Sequence, residues 1–334
     1  MSEGRAPGSR WILLAVAATL LLAFMITRWP SAGGATPQPP EAEAATAPQG
    51  APRVVSLAPA VTETLLALDA TEHLVGVSQY CRGPLEALPR VGTAITPQLE
   101  AIARLRPTLI VSSLVAGGQL QPLSRLAPTR ELPWLHLHEV VASIRELGAL
   151  VGREQEGGEL ADRVAQTLSA SPPEDAPRVL LVMSYGDTGS NEVWFIRRNS
   201  LHGALLHAAG GRNAVAADVA GQPRMSVEEL LRTDPEQIVL VVDSEQVSEA
   251  EARRRLRGLL ALEPLGAVRD GKIGLLRAPN PLSVGPNILD LVEPLRQELE
   301  RLASAALPTG GPNGDPTGDP GGDPGPRSEP PSSP

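Results

Sequence analysis

The sequence reads as an α/β protein with two Rossmann-like α/β lobes joined by a single long helix and a ligand cleft between them. Three observations carry that expectation. One pattern of apolar residues and proline occurs twice along the chain. A stretch with helical spacing lies between the two copies. The two ends have compositions unsuited to a packed core.

From the N-terminus, Trp11 to Thr27 is an uncharged, mostly apolar run preceded by Arg5 and Arg10. At ~1.5 Å per residue it covers most of a ~30 Å hydrocarbon core. Residues 1–29 are therefore an export signal or a membrane anchor. Small residues at 31–35 suit cleavage, whereas Arg28 and Trp29 suit a helix end at a membrane interface. Both readings place the body outside the cytoplasm, and no cysteine follows the run to carry a lipid. Residues 30–52 are rich in Pro, Ala, Glu and Gly and form a flexible linker.

The N-terminal lobe spans 53–137 and the C-terminal lobe 173–308. Pro52-Arg53-Val54-Val55 opens an apolar strand, and Pro177-Arg178-Val179-Leu180 opens its counterpart. Counted from Glu100 and from Glu228, apolar residues fall at −1, +2, +10 and +11 and proline at +7 in both halves. That spacing describes a short helix, a proline stop and a buried parallel strand. Thr96-Pro97 marks a capped start for the first of these helices, and Ser226 with Glu229 forms a capping box for the second. Between the lobes, apolar residues from Val140 to Leu168 keep helical spacing, interrupted at Gly157-Gly158. Residues 138–172 are therefore the connecting helix. Residues 309–334 carry Gly-Asp-Pro three times; the prolines break any calcium loop and no Glu closes one, so the segment is a disordered acidic tail.

Several functions are unsupported. A net charge of −9 argues against a nucleic-acid partner. The lone cysteine, Cys81, excludes an internal disulfide or a Cys-rich metal site. His136-x-His138 and the pair His202 and His207 lack metal-ligand spacing and a carboxylate companion, so no metal site is assigned. No nucleotide loop or nucleophile elbow is present, and the chain reads as a non-enzyme. Of 29 basic residues 28 are Arg, which reads as compositional bias.

Arg53-Val-Val-Ser-Leu-Ala-Pro-Ala-Val-Thr-Glu-Thr-Leu-Leu-Ala-Leu68 followed by Val75-Gly-Val-Ser-Gln-Tyr-Cys81 resembles the opening of cobalamin- and iron-complex-binding proteins of ABC importers. Pro89-Arg-Val-Gly92, Ser200-Leu-His-Gly-Ala-Leu-Leu206, Ala209-Gly-Gly-Arg-Asn213 and Leu265-Gly-Ala-Val-Arg-Asp-Gly271 continue the resemblance over roughly 53–302. It implies two α/β lobes on one long helix, no cofactor, and a monomer that takes a small metal-chelate ligand to a permease dimer with its ATPase. Tyr80-Cys81 is most similar to the cobalamin branch; a ferric siderophore or haem is the alternative ligand, and a non-transport anchored module the alternative role.

The resemblance places Glu100 and Glu228 as the acidic residues that dock each lobe onto the membrane subunits, with Glu229 able to share the role. A Glu in a helix's first turn also serves the helix dipole alone. Ligand contacts are expected from Ser56, Ala58 and Pro59 at the end of the first strand, from Tyr80 and Cys81, and from Tyr185, Trp194 and Arg197 in the second lobe. For Tyr185 and Trp194 ordinary packing is the competing account, and for Cys81 a small buried apolar role. The sequence departs from the family pattern at Cys81-Arg-Gly-Pro84, Ala94-Ile95, Arg197-Arg198 and Gly285-Pro-Asn287.

Overall fold

The computed structural model describes residues 50–113, 120–185, 192–221 and 223–304. The apolar run at 11–27 and the acidic tail lie outside the described residues. Among the described residues no helix is long and apolar enough to cross a membrane.

The first lobe is a four-stranded parallel sheet in the order β2-β1-β3-β4, built from β1 (Val54–Ser56), β2 (Leu74–Val77), β3 (Leu109–Ser113) and β4 (Thr129–Leu132). Helices α1 (Pro59–Ala67), α2 (Leu99–Arg104) and α3 (Leu120–Ser124) alternate with the strands. Successive residues of β1 point to opposite faces. Val54 joins the core under α1, and Val55 joins Val75, Ile102 and Ile110 on the other side.

In the second lobe the order is β10-β9-β5-β6-β8, with β7 (Arg212–Asn213) also paired to β5. The parallel part comprises β5 (Arg178–Tyr185), β9 (Gln237–Asp243) and β10 (Ile273–Ala278). β6 (Glu192–Phe195) pairs antiparallel with β5, and β8 (Arg224–Ser226) pairs antiparallel with β6 at the sheet edge. The expected strand–helix alternation is thus interrupted here, because β6, the next described element after β5, pairs antiparallel with it. Helices α6 (Leu201–Ala208), α7 (Val227–Thr233), α8 (Glu249–Leu260), α9 (Gly266–Arg269) and α10 (Val292–Ala303) cover the sheet. One apolar cluster runs through both lobes, from Val54, Val61 and Leu65 to Leu205, Val239 and Leu295.

Two expectations change. Residues 138–172 are not one helix but two, α4 (Leu137–Leu150) and α5 (Glu154–Leu168), separated at Gly152, whose φ is +72°. Gly157-Gly158 does not interrupt the pattern; α5 runs through both. The break falls earlier because α4 and α5 pack at a glycine contact, where a Cβ on Gly148 would lie 2.6 Å from the Arg153 carbonyl and 2.9 Å from the Gly157 Cα. Secondly, α2 starts at Leu99 with Gln98 as its cap, not at Pro97. Thr93 Oγ1 instead accepts the N–H groups of Ile95 and Thr96, holding that segment as a separate turn. The Ser226–Glu229 capping box forms as expected.

The helix contact makes a paired prediction. Gly148→Ala should cost about 1–3 kcal/mol, as overpacking does. Gly158→Ala, whose Cβ would meet nothing nearer than 4.0 Å, should be neutral or stabilise by up to about 1 kcal/mol. Urea unfolding of the two variants checks the contrast.

Candidate functional site

The two halves present Glu100 and Glu228 in the same way. In each, an arginine next to the lobe's first strand binds the exposed carbonyls at the end of the Glu-bearing helix. Arg53 Nη2 donates to Leu105 O at 2.8 Å and its Nε to Arg106 O at 3.2 Å. Arg178 Nη2 donates to Thr233 O at 2.5 Å and its Nη1 to Asp234 O at 3.3 Å. Arg106 and Asp234 both adopt left-handed backbone, φ +46° and +39°, immediately before the prolines of the repeated pattern. A guanidinium satisfies carbonyls that the helix leaves unpaired and sits at the negative end of its dipole. Glu100 and Glu228 therefore occupy matching first-turn positions, and both are exposed. Glu229 is committed elsewhere: its carboxylate accepts from the Ser226 N–H and hydroxyl, which hold its pKa below the ordinary value.

The parallel strands of both lobes end in loops where a ligand of an open α/β sheet would bind. Tyr80 lies beyond β2 on a turn held by Arg90, whose Nη1 donates to Ser78 O at 3.2 Å and Cys81 O at 2.7 Å. The Pro89-Arg-Val-Gly92 motif thus fixes the Tyr80 turn, with Val91 N–H donating to Val77 O beside it. The Tyr80 side chain is 63% exposed. Ile95, Leu135 and Leu282 are also exposed and also follow carboxyl ends of parallel segments. Sequence reasoning did not select these three. Their signal is a large apolar residue a few positions after a buried strand.

Other expected contacts are placed differently. Ser56 and Ala58 are buried, while Pro59 begins α1 partly exposed. Cys81 is buried too; its Sγ lies 3.0 Å from Thr62 Oγ1, whose hydroxyl donates to Ser56 Oγ at 2.7 Å. Burial pushes the Cys81 thiol up, against hydrogen bonds that pull it down, so it is a neutral thiol in the first-lobe core rather than a surface ligand. Tyr185 ends β5 and its ring lies against Gly258 of α8, the packing account. Trp194 sits in β6, partly exposed, opposite Ser184 and Arg224. Arg197 donates to Val219 O and Gly221 O, and Arg198 pairs with Asp218 at 2.8 Å. Both arginines secure one loop, and the guanidinium expected as a ligand contact at Arg197 is bound to backbone carbonyls.

Among the described residues, polar contacts join the lobes at three places. Leu201 N–H donates to Leu135 O at 2.9 Å. Glu63 of α1, itself buried, accepts from Asn280 Nδ2 at 2.7 Å and Ser283 Oγ at 2.5 Å. Gly285 lies against that carboxylate, where any Cβ would collide with it. Finally, Arg82 Nη1 reaches Asp243 at 2.8 Å and Glu245 at 3.0 Å. Two surface cavities of about 290 and 350 Å³ lie elsewhere and include none of the expected ligand residues. Among the described residues no His, Cys, Asp and Glu cluster has the geometry of a metal site.

A family model described as periplasmic binding protein matches residues 54–276. A vitamin B12-binding protein of Pectobacterium atrosepticum is 27% identical over 211 residues, 60% of this chain and 75% of that protein. The crystal structure of a periplasmic haem-binding protein of Pseudomonas aeruginosa is similar at TM-score 0.58 and 26% identity, covering 80% of this chain and 96% of that one. The periplasmic vitamin B12-binding protein of Vibrio cholerae has TM-score 0.58 at 24% identity, covering 76% and 98%.

The Glu63 contact carries a pH prediction. Burial raises its carboxyl above the ordinary 4.5, and the hydrogen bonds from Ser283 and Asn280 and the Arg82 charge only partly offset this. The folded state then holds the proton more tightly than the unfolded chain. Its contribution is full below the unfolded pKa and is lost as pH rises through the folded one. Relative to wild type, Glu63→Gln should therefore gain stability as the pH is raised from about 4 to about 7. Urea midpoints across that range test it; a constant offset between the two proteins would contradict the assignment.

Proposed function

The chain belongs to the periplasmic binding protein family, a family of non-enzymatic transport proteins, and on that premise we propose that it captures a cobalamin-like corrinoid outside the cytoplasm and delivers it to an ABC importer. The observation that carries this reading is the exposure of Tyr80, Ile95, Leu135 and Leu282, each in a loop beyond the carboxyl end of a parallel segment, with both lobes represented. Exposed apolar side chains on pinned loops suit a large ligand with an apolar face. An aromatic ring such as Tyr80 covers such a face while its hydroxyl stays wet. The resemblance at Tyr80-Cys81 and the 27% identity to a vitamin B12-binding protein favour a corrinoid. Haem is the second reading, favoured by the 26% identity to a haem-binding protein of Pseudomonas aeruginosa.

Capture needs no bond chemistry. Affinity comes from burying ligand surface between loops already held in place, which lowers the ordering cost of binding. Delivery rests on Glu100 and Glu228, one carboxylate per lobe, facing a permease dimer with cationic sites. An N-terminal segment, cleaved or retained as an anchor, supplies the export that places the body beside that permease. A carboxylate pair held on short, arginine-fixed helices presents its charges at a set spacing, which suits a two-fold partner.

Absorption titration with cyanocobalamin, haemin and a ferric chelate tests the ligand; saturation by cyanocobalamin is expected, and saturation by haemin alone selects the second reading. Tyr80→Ala should weaken binding by about 1–3 kcal/mol with the fold unchanged. Reversing Glu100 and Glu228 together to Lys should abolish cellular uptake through like-charge repulsion of several kcal/mol, while solution affinity stays within about twofold. Normal uptake by the double variant would remove the docking role.

A further inference from the structure

The Arg82 bridge is unlike the other surface ion pairs. Most of those join residues of one helix or neighbouring segments. Arg82 instead joins positions 163 residues apart, one on each lobe. It lies two residues after Tyr80, in the Cys81-Arg-Gly-Pro84 segment where the sequence departs from its family pattern. Its two partners stand at the carboxyl end of β9: Asp243 is the last residue of that strand, and Glu245 follows it. The Asp243 side chain is 18% exposed and that of Arg82 26%, so the contact is largely screened from solvent; Glu245, at 56%, is the outer partner.

The acceptor side is held ready. Asp243 takes the Glu245 N–H at 3.0 Å. Burial pushes its carboxyl up, but that hydrogen bond and Arg82 outweigh it, so the group stays below the ordinary carboxylate range. The donor side is held as well, because Arg90 pins the Cys81 carbonyl immediately before Arg82. Two prepared loops therefore meet at 2.8 Å. A ring in van der Waals contact with both would need about 7 Å between them, twice an ordinary contact distance.

We infer that Arg82, with Asp243 and Glu245, is an inter-lobe latch that closes the rim beside Tyr80 and must part before a macrocyclic ligand enters. The idea rests on the reading of a ligand between the lobes, but the latch itself is measurable without ligand. The shared apolar core and the Glu63 contact hold the lobes together behind it, so breaking the ion pair frees the rim and not the whole interface. Because ligand binds the parted form, the latch lowers apparent affinity by the fraction of molecules held shut. Salt weakens it, since both charges keep some solvent contact.

The test pairs spin labels at the exposed positions Glu86 and Gln246, introduced as cysteines; buried Cys81 stays unlabelled. Wild type at low salt should give one short inter-label distance. Arg82→Ala, and wild type at about 1 M salt, should add a longer population, while Arg82→Lys, keeping the charge, should remain mostly short. Identical distances in wild type and Arg82→Ala at both salts would overturn the latch, whatever the ligand result. In stopped-flow mixing with cyanocobalamin, Arg82→Ala should associate about threefold to tenfold faster, the scale of a partly exposed ion pair. A longer distance without faster association would remove the link to entry. A longer distance in a protein that binds neither cyanocobalamin nor haemin would keep the latch and overturn the ligand reading.

Discussion

The Glu63 carboxylate, buried where the lobes meet, is the contact around which the rest of the molecule is arranged. Its oxygens accept from Asn280 and Ser283 on the loop that follows the last strand of the other lobe. A buried carboxylate without partners would be expensive, so that loop has to stay where it is. Asn280 adopts a left-handed φ of +46° to reach it, and position 285 has to be glycine to clear it. Around this polar point the apolar cluster is continuous from α1 through α4 and α5 to α6 and α10. The lobes are thus two sheets on one core.

From that anchored side the two lobes repeat one device outward. An arginine at the head of the first strand fastens the end of a short helix, and the Glu in that helix's first turn faces solvent. The helices have six and seven residues, too short to be stable alone, so the arginine and the strand that follows fix their direction. Similarity of the two halves therefore extends from the spacing of apolar residues to named hydrogen bonds. It ends at β6 and β8, which make the second sheet wider and mixed.

How much was legible follows from what each signal measures. The repeated spacing around Glu100 and Glu228 reports burial and the proline stop, and both helices end before their prolines as expected, although the first starts two residues later than Thr96-Pro97 suggests. The glycines at 157–158 misled, because a glycine in a helix marks either a break or a close approach and spacing does not distinguish them. Ser56 ends β1 and Cys81 lies on the turn beyond β2, yet both side chains point inward, where Thr62 of α1 lies against them. Arg197 had the right chemistry for an anionic ligand, yet the carbonyls of Val219 and Gly221 take it first. Glu63 went unnoticed because its partners lie 217 and 220 residues away, and local pattern carries nothing over that distance. Its trace is a single carboxylate in an otherwise apolar or hydroxyl-bearing helix.

The arginine excess, which composition alone presents as bias, has structural use at the places that matter most. Arg53, Arg178 and Arg197 each hold two backbone carbonyls, Arg90 holds the two of the Tyr80 turn, and Arg82 holds two carboxylates. A guanidinium is planar and loses less freedom per hydrogen bond than a lysine ammonium does. Fixing a loop from the side with one such residue leaves its outer surface free, which is what an exposed Tyr80 or Glu100 requires. The bias toward arginine need not have arisen for this purpose to be used for it. Four of these residues fasten backbone. Arg82 differs because both its partners are side chains of the opposite lobe, so it is the member of the set on which the proposed latch rests.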